Sequence, residues 1–493
     1  MGRRDALLRL SIMAALLLGG AMAPVFAADV KNLSVTVSSG TQANAYGGYT
    51  IEEGASALQN ALTLSGPAKV LGASAGGWSR WGNAEWNTLT IRLDEDGLLG
   101  PSDIVGGGVA ESEGGGAAVH NTVYIESGTV EGTVEGGVAV GINGVGDGTG
   151  DVLSNQVTMS GGTVYSVFGG ETGEGNANDN VVTIKGSAAV TGKSNAVYGG
   201  YTIDGNASGN IVNIEDDADI HGEIMGGYTR AGSLISGNKV NVTGGNVNEN
   251  TVYGVYTAYG DVLDNQAVIK GTGQAGSSDT NSVYAGFTNI GAAAGNILYI
   301  QDSAEIAGSA FAGYQGGFIS SETVERNQVF MSGGSVGGDL TGGGSNNGGE
   351  TLNNYVEITG GTVSGNAYSG FTDSADALEN TLTVAGGRVE GSLFGGYSNT
   401  GTANENKLTF SAGTAGSDAY GGYAQEGADG NEAVLSGTSV LEGNAAGGSS
   451  ARGEASGNSL TIKENSEVKG DAAGGDVYMG TISKNIITIQ YNA

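Results

Sequence analysis

Every 25 to 34 residues the chain returns to one short phrase. It consists of an Asn, a run alternating apolar and polar residues, one or two glycines, two further apolar spots, and Gly-Gly-Tyr or a variant of it. The Asn anchors are Asn32, Asn60, Asn87, Asn121, Asn155, Asn180, Asn210, Asn238, Asn265, Asn296, Asn327, Asn354, Asn380, Asn406, Asn431, Asn458 and Asn485. A fixed period in this range marks a stacked repeat architecture, because no single unit can bury its apolar face alone. The repetition runs through every plausible linker, which predicts one elongated domain over residues 28–493.

The run after each Asn alternates with a period of two, as in Asn121–Ile125 (NTVYI), Asn180–Ile184 (NVVTI), Asn238–Val242 (NKVNV) and Asn458–Ile462 (NSLTI). Positions two and four beyond Asn are apolar, the mark of a strand with one buried face. After the glycines comes a lone Val or Ile, such as Val130, Val164, Ile220 or Val247. A third apolar spot precedes the glycine pair, as at Val197, Ile224, Val252, Val283 and Leu393. Three short inward faces joined by Gly turns predict an all-β fold, a right-handed parallel β-helix (solenoid) of about 17 coils. At the ~4.8 Å spacing of neighbouring strands such a stack is roughly 80 Å long. Helices are excluded by glycine, which interrupts every window of the mature chain.

Composition removes the competing classes. The chain has 95 Gly among 493 residues but only 3 Pro and no Gly-X-Y period, so it is not collagen. A disordered Gly-rich polymer would not keep β-branched residues in phase with a repeat. With 19 Lys and Arg against 51 Asp and Glu, and a net charge of −32, nucleic acid is excluded as a partner. There is no Cys, hence no thiol chemistry and no sulfur-ligated metal. Residues 1–27 read as a secretory signal peptide: Arg3, Arg4 and Arg9 precede the apolar run Leu10–Met22, and Val25-Phe26-Ala27 supplies the cleavage site.

The Asn column reads as an amide ladder between coils, with Asn also suited to a left-handed corner. The Tyr of Gly-Gly-Tyr (Tyr49, Tyr201, Tyr228, Tyr397, Tyr423) is expected to stack from coil to coil. Long insertions fall between Gly107 and Asn121, Gly137 and Asn155, and Gly313 and Asn327. They place extra loops, Gly141–Asp151 the longest, on one side of the stack, commonly the binding side.

Enzyme chemistry needs convergent polar groups, and the sequence offers few. His120 and His221 are the only histidines, and neither has a second His at metal spacing. The acidic clusters Asp94-Glu95-Asp96 and Glu215-Asp216-Asp217 to Asp219 are the carboxylates a carbohydrate-active β-helix enzyme would use, but each reads as a solvated turn. Asp147, Asp151, Asp216 and Asp217 are hard oxygen ligands in Gly-rich turns. The nonapeptide of calcium-binding β-rolls does not recur, so no metal or cofactor is expected. One repeat departs from the pattern: Trp78, Trp81 and Trp86 are the only tryptophans and lie beside Arg80 and Arg92. As a binding patch, Trp78, Arg80, Trp81 and Trp86 would serve sugar rings or cations. As a cap on the N-terminal coils they would bury at least two indoles, and the cap is the expectation.

The Asn-x-Val-x-Ile anchors, Gly-Gly-x-Val, Val197–Thr202 (VYGGYT) and the leader together resemble the passenger region of Gram-negative autotransporters, particularly adhesin-like ones. The resemblance covers residues 28–493 and rests on repeat style and composition. It implies export, then display at the cell surface, outer membrane or outside the cell as a non-catalytic stalk for adhesion or self-association. Partners would be host glycans or matrix, or sister cells. The alternatives are a carbohydrate-active β-helix enzyme and a purely structural stalk. The resemblance also implies a C-terminal outer-membrane β-barrel, which nothing after Asn485 provides. That leaves a truncated frame or a partner covering the last coil, and a periplasmic location if there is no barrel.

Overall fold

The computed structural model describes residues 29–490 except 102–103, 112–114, 142–146, 195, 249, 277–282, 318–320 and 347. The leader at 1–27 and the centre of the Gly141–Asp151 loop lie outside the described residues. The fold is all-β, a parallel β-solenoid of about 16 turns, with no helix among the described residues. It divides into two units, residues 1–230 and 231–493.

In the first unit a coil comprises Ala61–Gly66, Lys69–Val70, Ser74–Ser79 and Ala84–Glu85. Each pairs in parallel with its counterpart one coil on: Thr88–Leu93, Leu98–Leu99, Val105–Glu111 and Ala118–Val119. A coil of the second unit has the same four strands, Tyr355–Ile358, Thr362–Val363, Ala367–Thr372 and Ala377–Leu378. The sequence pattern foretells the first three. The fourth, ahead of each Asn, is two or three residues long and too short to leave a period. The apolar positions are inward and fully buried, as at Leu62, Leu64 and Val70, or Val356, Ile358 and Val363.

The Asn residues form continuous ladders, one from Asn60 to Asn210 and one from Asn238 to Asn485. Asn87 shows the unit of construction. Its backbone N–H and its Nδ2 both donate to Asn121 Oδ1, at 2.9 and 3.0 Å. Nδ2 also donates to the Ala57 carbonyl at 2.9 Å. Its Oδ1 accepts from the N–H and Nδ2 of Asn60, at 2.9 and 3.1 Å. Both amide protons and both lone pairs are used, which is what a buried carboxamide requires.

Two expectations about this column are corrected. The left-handed backbone belongs to the residue before each Asn: Gln59, Trp86, His120, Ser154 and Asp179 all have φ between 55° and 57°. Asn32 is itself such a residue, at φ 58°, and Leu33 supplies the N–H that bonds Asn60 Oδ1 at 3.1 Å. Asn32 is therefore one position ahead of the ladder, and the solenoid has about 16 turns.

The glycine pair is a consequence of the ladder. A Cβ on Gly370 would lie 2.4 Å from the Asn380 carboxamide, and one on Gly48 would be equally close to that of Asn60. The glycine before it meets backbone instead: a Cβ on Gly395 would be 2.3 Å from the Gly421 carbonyl oxygen. Where Val255 takes the second position, opposite Gly286, its side chain fills a cluster with Ile235, Val262, Ala293 and Val324. There Asn265 Nδ2 reaches the Ile235 carbonyl at 3.4 Å, against 2.8 Å from Asn327 to Ala293. Other corners are capped by side chains bonding the next coil's backbone, as from Asp339 to Asn366 at 2.7 Å and Asn366 to Ser392 at 2.8 Å.

Candidate functional site

The second and fifth residues of each glycine strand (Tyr198 and Tyr201 in Val197–Thr202) share a face opposite the buried first and sixth. In register along the solenoid they make two columns of rings. Tyr201 stacks on Tyr228 at 4.8 Å and 7°, and Tyr397 on Tyr423 at 5.3 Å and 10°. The expected Tyr stacking is thus observed. Within a coil the second and fifth rings meet edge to face, as between Tyr198 and Tyr201 at 5.4 Å. Burial pushes the Tyr201 and Tyr314 hydroxyls up to about 12.

The three tryptophans do not converge. Trp78 lies in the fifth column, buried against Ala75, Val109, Val138 and Val140, and its Nε1 donates to Glu111 at 3.2 Å. Trp81 is half-buried in the following turn, with the Arg80 guanidinium 5.8 Å from its ring centre. Trp86 occupies the left-handed corner, 56 % exposed, and stacks on His120 one coil on at 4.2 Å. The expectation of two buried indoles is corrected: only Trp78 is buried. The reason is geometric, since the nine residues from Trp78 to Trp86 turn a corner and aim side chains in different directions. Arg92, near the indoles in sequence, pairs instead with Glu126 at 2.7 Å.

The acidic candidates resolve into local structure. Asp94, Glu95 and Asp96 are exposed in a turn that Asp94 Oδ1 closes on the Asp96 N–H at 3.1 Å. Asp216 Oδ2 accepts from the Gly186 N–H at 3.1 Å, and Asp219 pairs with His221 at 2.9 Å. Asp151 Oδ1 accepts from the backbone and side chain of Asn176 at 2.9 and 3.1 Å. Among the described residues no group of three or more His, Asp or Glu comes together as a metal site.

Two features escape a reading of the sequence. Glu135 and Glu171 occupy the second and fifth columns on consecutive coils, Glu135 beside Phe168 and Glu171 beside Tyr201. Burial pushes the Glu171 carboxyl up to about 7, with the Glu135 hydrogen bond acting the opposite way. The signal is present as acid where the following repeat carries Phe or Tyr, but it is visible only once the coils are in register. The second is an outward strip of Val268, Ile297, Tyr299, Phe330 and Tyr355 in the second unit. These are the first and third positions beyond Asn, where other coils mix polar residues such as Thr88, Thr90, Lys239 and Lys407 with single apolar ones such as Tyr124, Val181 and Ile211. Tyr299 stacks on Phe330 at 5.3 Å.

No protein-family model, no curated protein and no solved structure matches the chain.

Proposed function

We propose that this is a non-catalytic, surface-displayed or secreted protein of the autotransporter-passenger kind, exported by its leader and acting in adhesion or self-association. The observation that carries the binding part is Trp86. A bulky ring held at positive φ and 56 % exposed is an uncommon use of tryptophan, and its stacking on His120 fixes its orientation. A preoriented indole at a solenoid corner suits a sugar ring or a cationic group. Arg80 and Trp81 lie on the same repeat, and the strongly acidic surface disfavours anionic ligands. Host glycans, matrix or sister cells are the partners this surface would meet.

The test is glycan-array and matrix binding by the full chain, beside Trp86→Ala and Trp81→Ala. Loss of at least about tenfold in affinity with Trp86→Ala, a change of about 1.4 kcal/mol, at unchanged melting temperature supports the reading. Undiminished binding by Trp86→Ala sinks this site. Turnover of any polysaccharide by the chain overturns the non-catalytic reading, with Glu135 and Glu171 then the first residues to replace.

A further inference from the structure

We propose that the outward strip of the second unit pairs with the same strip of a second copy of the chain, about a two-fold axis that lies over Ile297 and Tyr299 and runs along their strand. This rests on the self-association part of the function above and gives it a surface of its own, apart from Trp86. The strip is the outer face of five successive strands in parallel register. The central strand presents Ile297 and Tyr299 at its first and third positions. One coil to either side lie Gln266 with Val268, and Gln328 with Phe330. Two coils to either side lie Lys239 with Asn241, and Tyr355 with Glu357. All of them are half-buried by their neighbours, and the rings of Tyr299, Phe330 and Tyr355 adjoin in turn at 5.3 and 5.9 Å.

Read in reverse, this order complements itself. A two-fold axis along the strand keeps each position and reverses the coils. Gln266 then meets Gln328 of the second copy, amide to amide, and each can both donate and accept. Val268 meets Phe330, a small side chain opposite a large one, while Ile297 and Tyr299 meet their own copies. Lys239 meets the Tyr355 ring with Glu357 two residues beyond, so an ammonium faces an aromatic surface and a carboxylate. The same contacts recur on the far side of the axis, as an isologous pairing requires. The other face-to-face two-fold, with the coils running the same way, would lay Gln266 on Val268 and Gln328 on Phe330. Burying amides against hydrocarbon disfavours it.

Charge selects the same partner. The chain has 51 Asp and Glu, yet Glu357 is the one carboxylate at these positions, and Lys239 stands at the opposite end of the strip. Two molecules of net charge −32 can therefore meet here without opposing carboxylates. The five strands span about 20 Å at the ~4.8 Å strand spacing. A strip of that length and two side chains wide is smaller than the ~1,200 Å² of a standard interface, so the pairing is weak and reversible.

The experiment is sedimentation equilibrium of the full chain at about 0.15 M sodium chloride, where the screening length is near 8 Å. Concentrations up to about 0.5 mM populate a dimer whose dissociation constant is on the order of 0.1 mM. Tyr299→Glu sets two carboxylates face to face on the axis and should weaken the dimer at least about tenfold. Lys239→Glu and Glu357→Lys should each weaken it about threefold or more, and the charge-swapped double variant should restore it. Within one chain these two residues are four coils apart, roughly 19 Å, so restoration can arise only between copies. Melting temperatures check that each variant is folded. Lower net charge alone would make Glu357→Lys associate more tightly, and that result overturns the proposal, as does a monomer at every concentration. A dimer that Tyr299→Glu leaves intact, or that the charge swap fails to restore, also overturns it, and self-association then stands through another surface. Glycan binding by Trp86 is a separate readout that these variants should leave unchanged.

Discussion

A single carboxamide per coil accepts two hydrogen bonds and donates two, and its neighbours depend on all four. Truncating Asn380 to Ala would strip the acceptor from the N–H and Nδ2 of Asn354 and the donor from the Thr351 carbonyl. Leaving buried polar groups unpaired costs ~1–3 kcal/mol each, so a loss of about 3 kcal/mol or more is expected in urea unfolding. Gly370→Ala should be comparably harmful, because its Cβ would sit 2.4 Å from the Asn380 carboxamide. The two effects are coupled by that contact. The double variant is expected to be less destabilised than the sum of the singles by at least about 1 kcal/mol. Simple additivity would show that the glycine is there for its backbone freedom and not to make room for the ladder.

The strands themselves are legible in the sequence because burial on one face forces alternation, and alternation survives in sequence. Val182 and Ile184, or Leu382 and Val384, are placed inward by the period of two alone, and all four are buried. The Asn column is legible for a similar reason, since a buried amide has few substitutes. Illegible are features that depend on which residue of one coil abuts which of the next. The left-handed corner reads as belonging to Asn itself because side-chain type, not φ, is what a sequence displays. The Trp repeat reads as a cluster because its members are near in sequence, yet a corner separates them in space. Glu135 and Glu171 escape notice for the converse reason. The aromatic columns make a prediction of their own. Burial raises the hydroxyls of Tyr46, Tyr201 and Tyr314 to about 12, above the ordinary 10. The folded state then holds protons that the unfolded chain has already released, so this stabilisation is present below pH 10 and is lost as pH rises to about 12. Tyrosinate absorbance should therefore rise in two steps, exposed tyrosines first and the columns only as the fold gives way. A single step near pH 10 would mean that the rings are not enclosed.

Over the whole molecule the charge is one-sided: 51 acidic residues against 19 Lys and Arg. The described ion pairs, such as Arg92–Glu126 and Lys469–Glu442, are exposed and add little each. The inner faces are apolar or amide-bonded, so nearly all of the net charge of −32 lies on the surface. Mutual repulsion there opposes the compact state and also keeps copies apart. At about 0.01 M salt the screening length is near 30 Å and charges on several coils feel one another, whereas at about 1 M it is near 3 Å and only adjacent groups do. Sodium chloride should accordingly raise the melting temperature by several degrees between those limits, with most of the gain below about 0.2 M. The same screening should promote self-association as pH falls toward the isoelectric point of about 4.1. Scanning calorimetry and sedimentation across a salt series check both. A melting temperature that is flat or falls with salt would mean that the acidic surface is balanced locally, with each carboxylate offset by its immediate neighbours rather than repelled by distant ones.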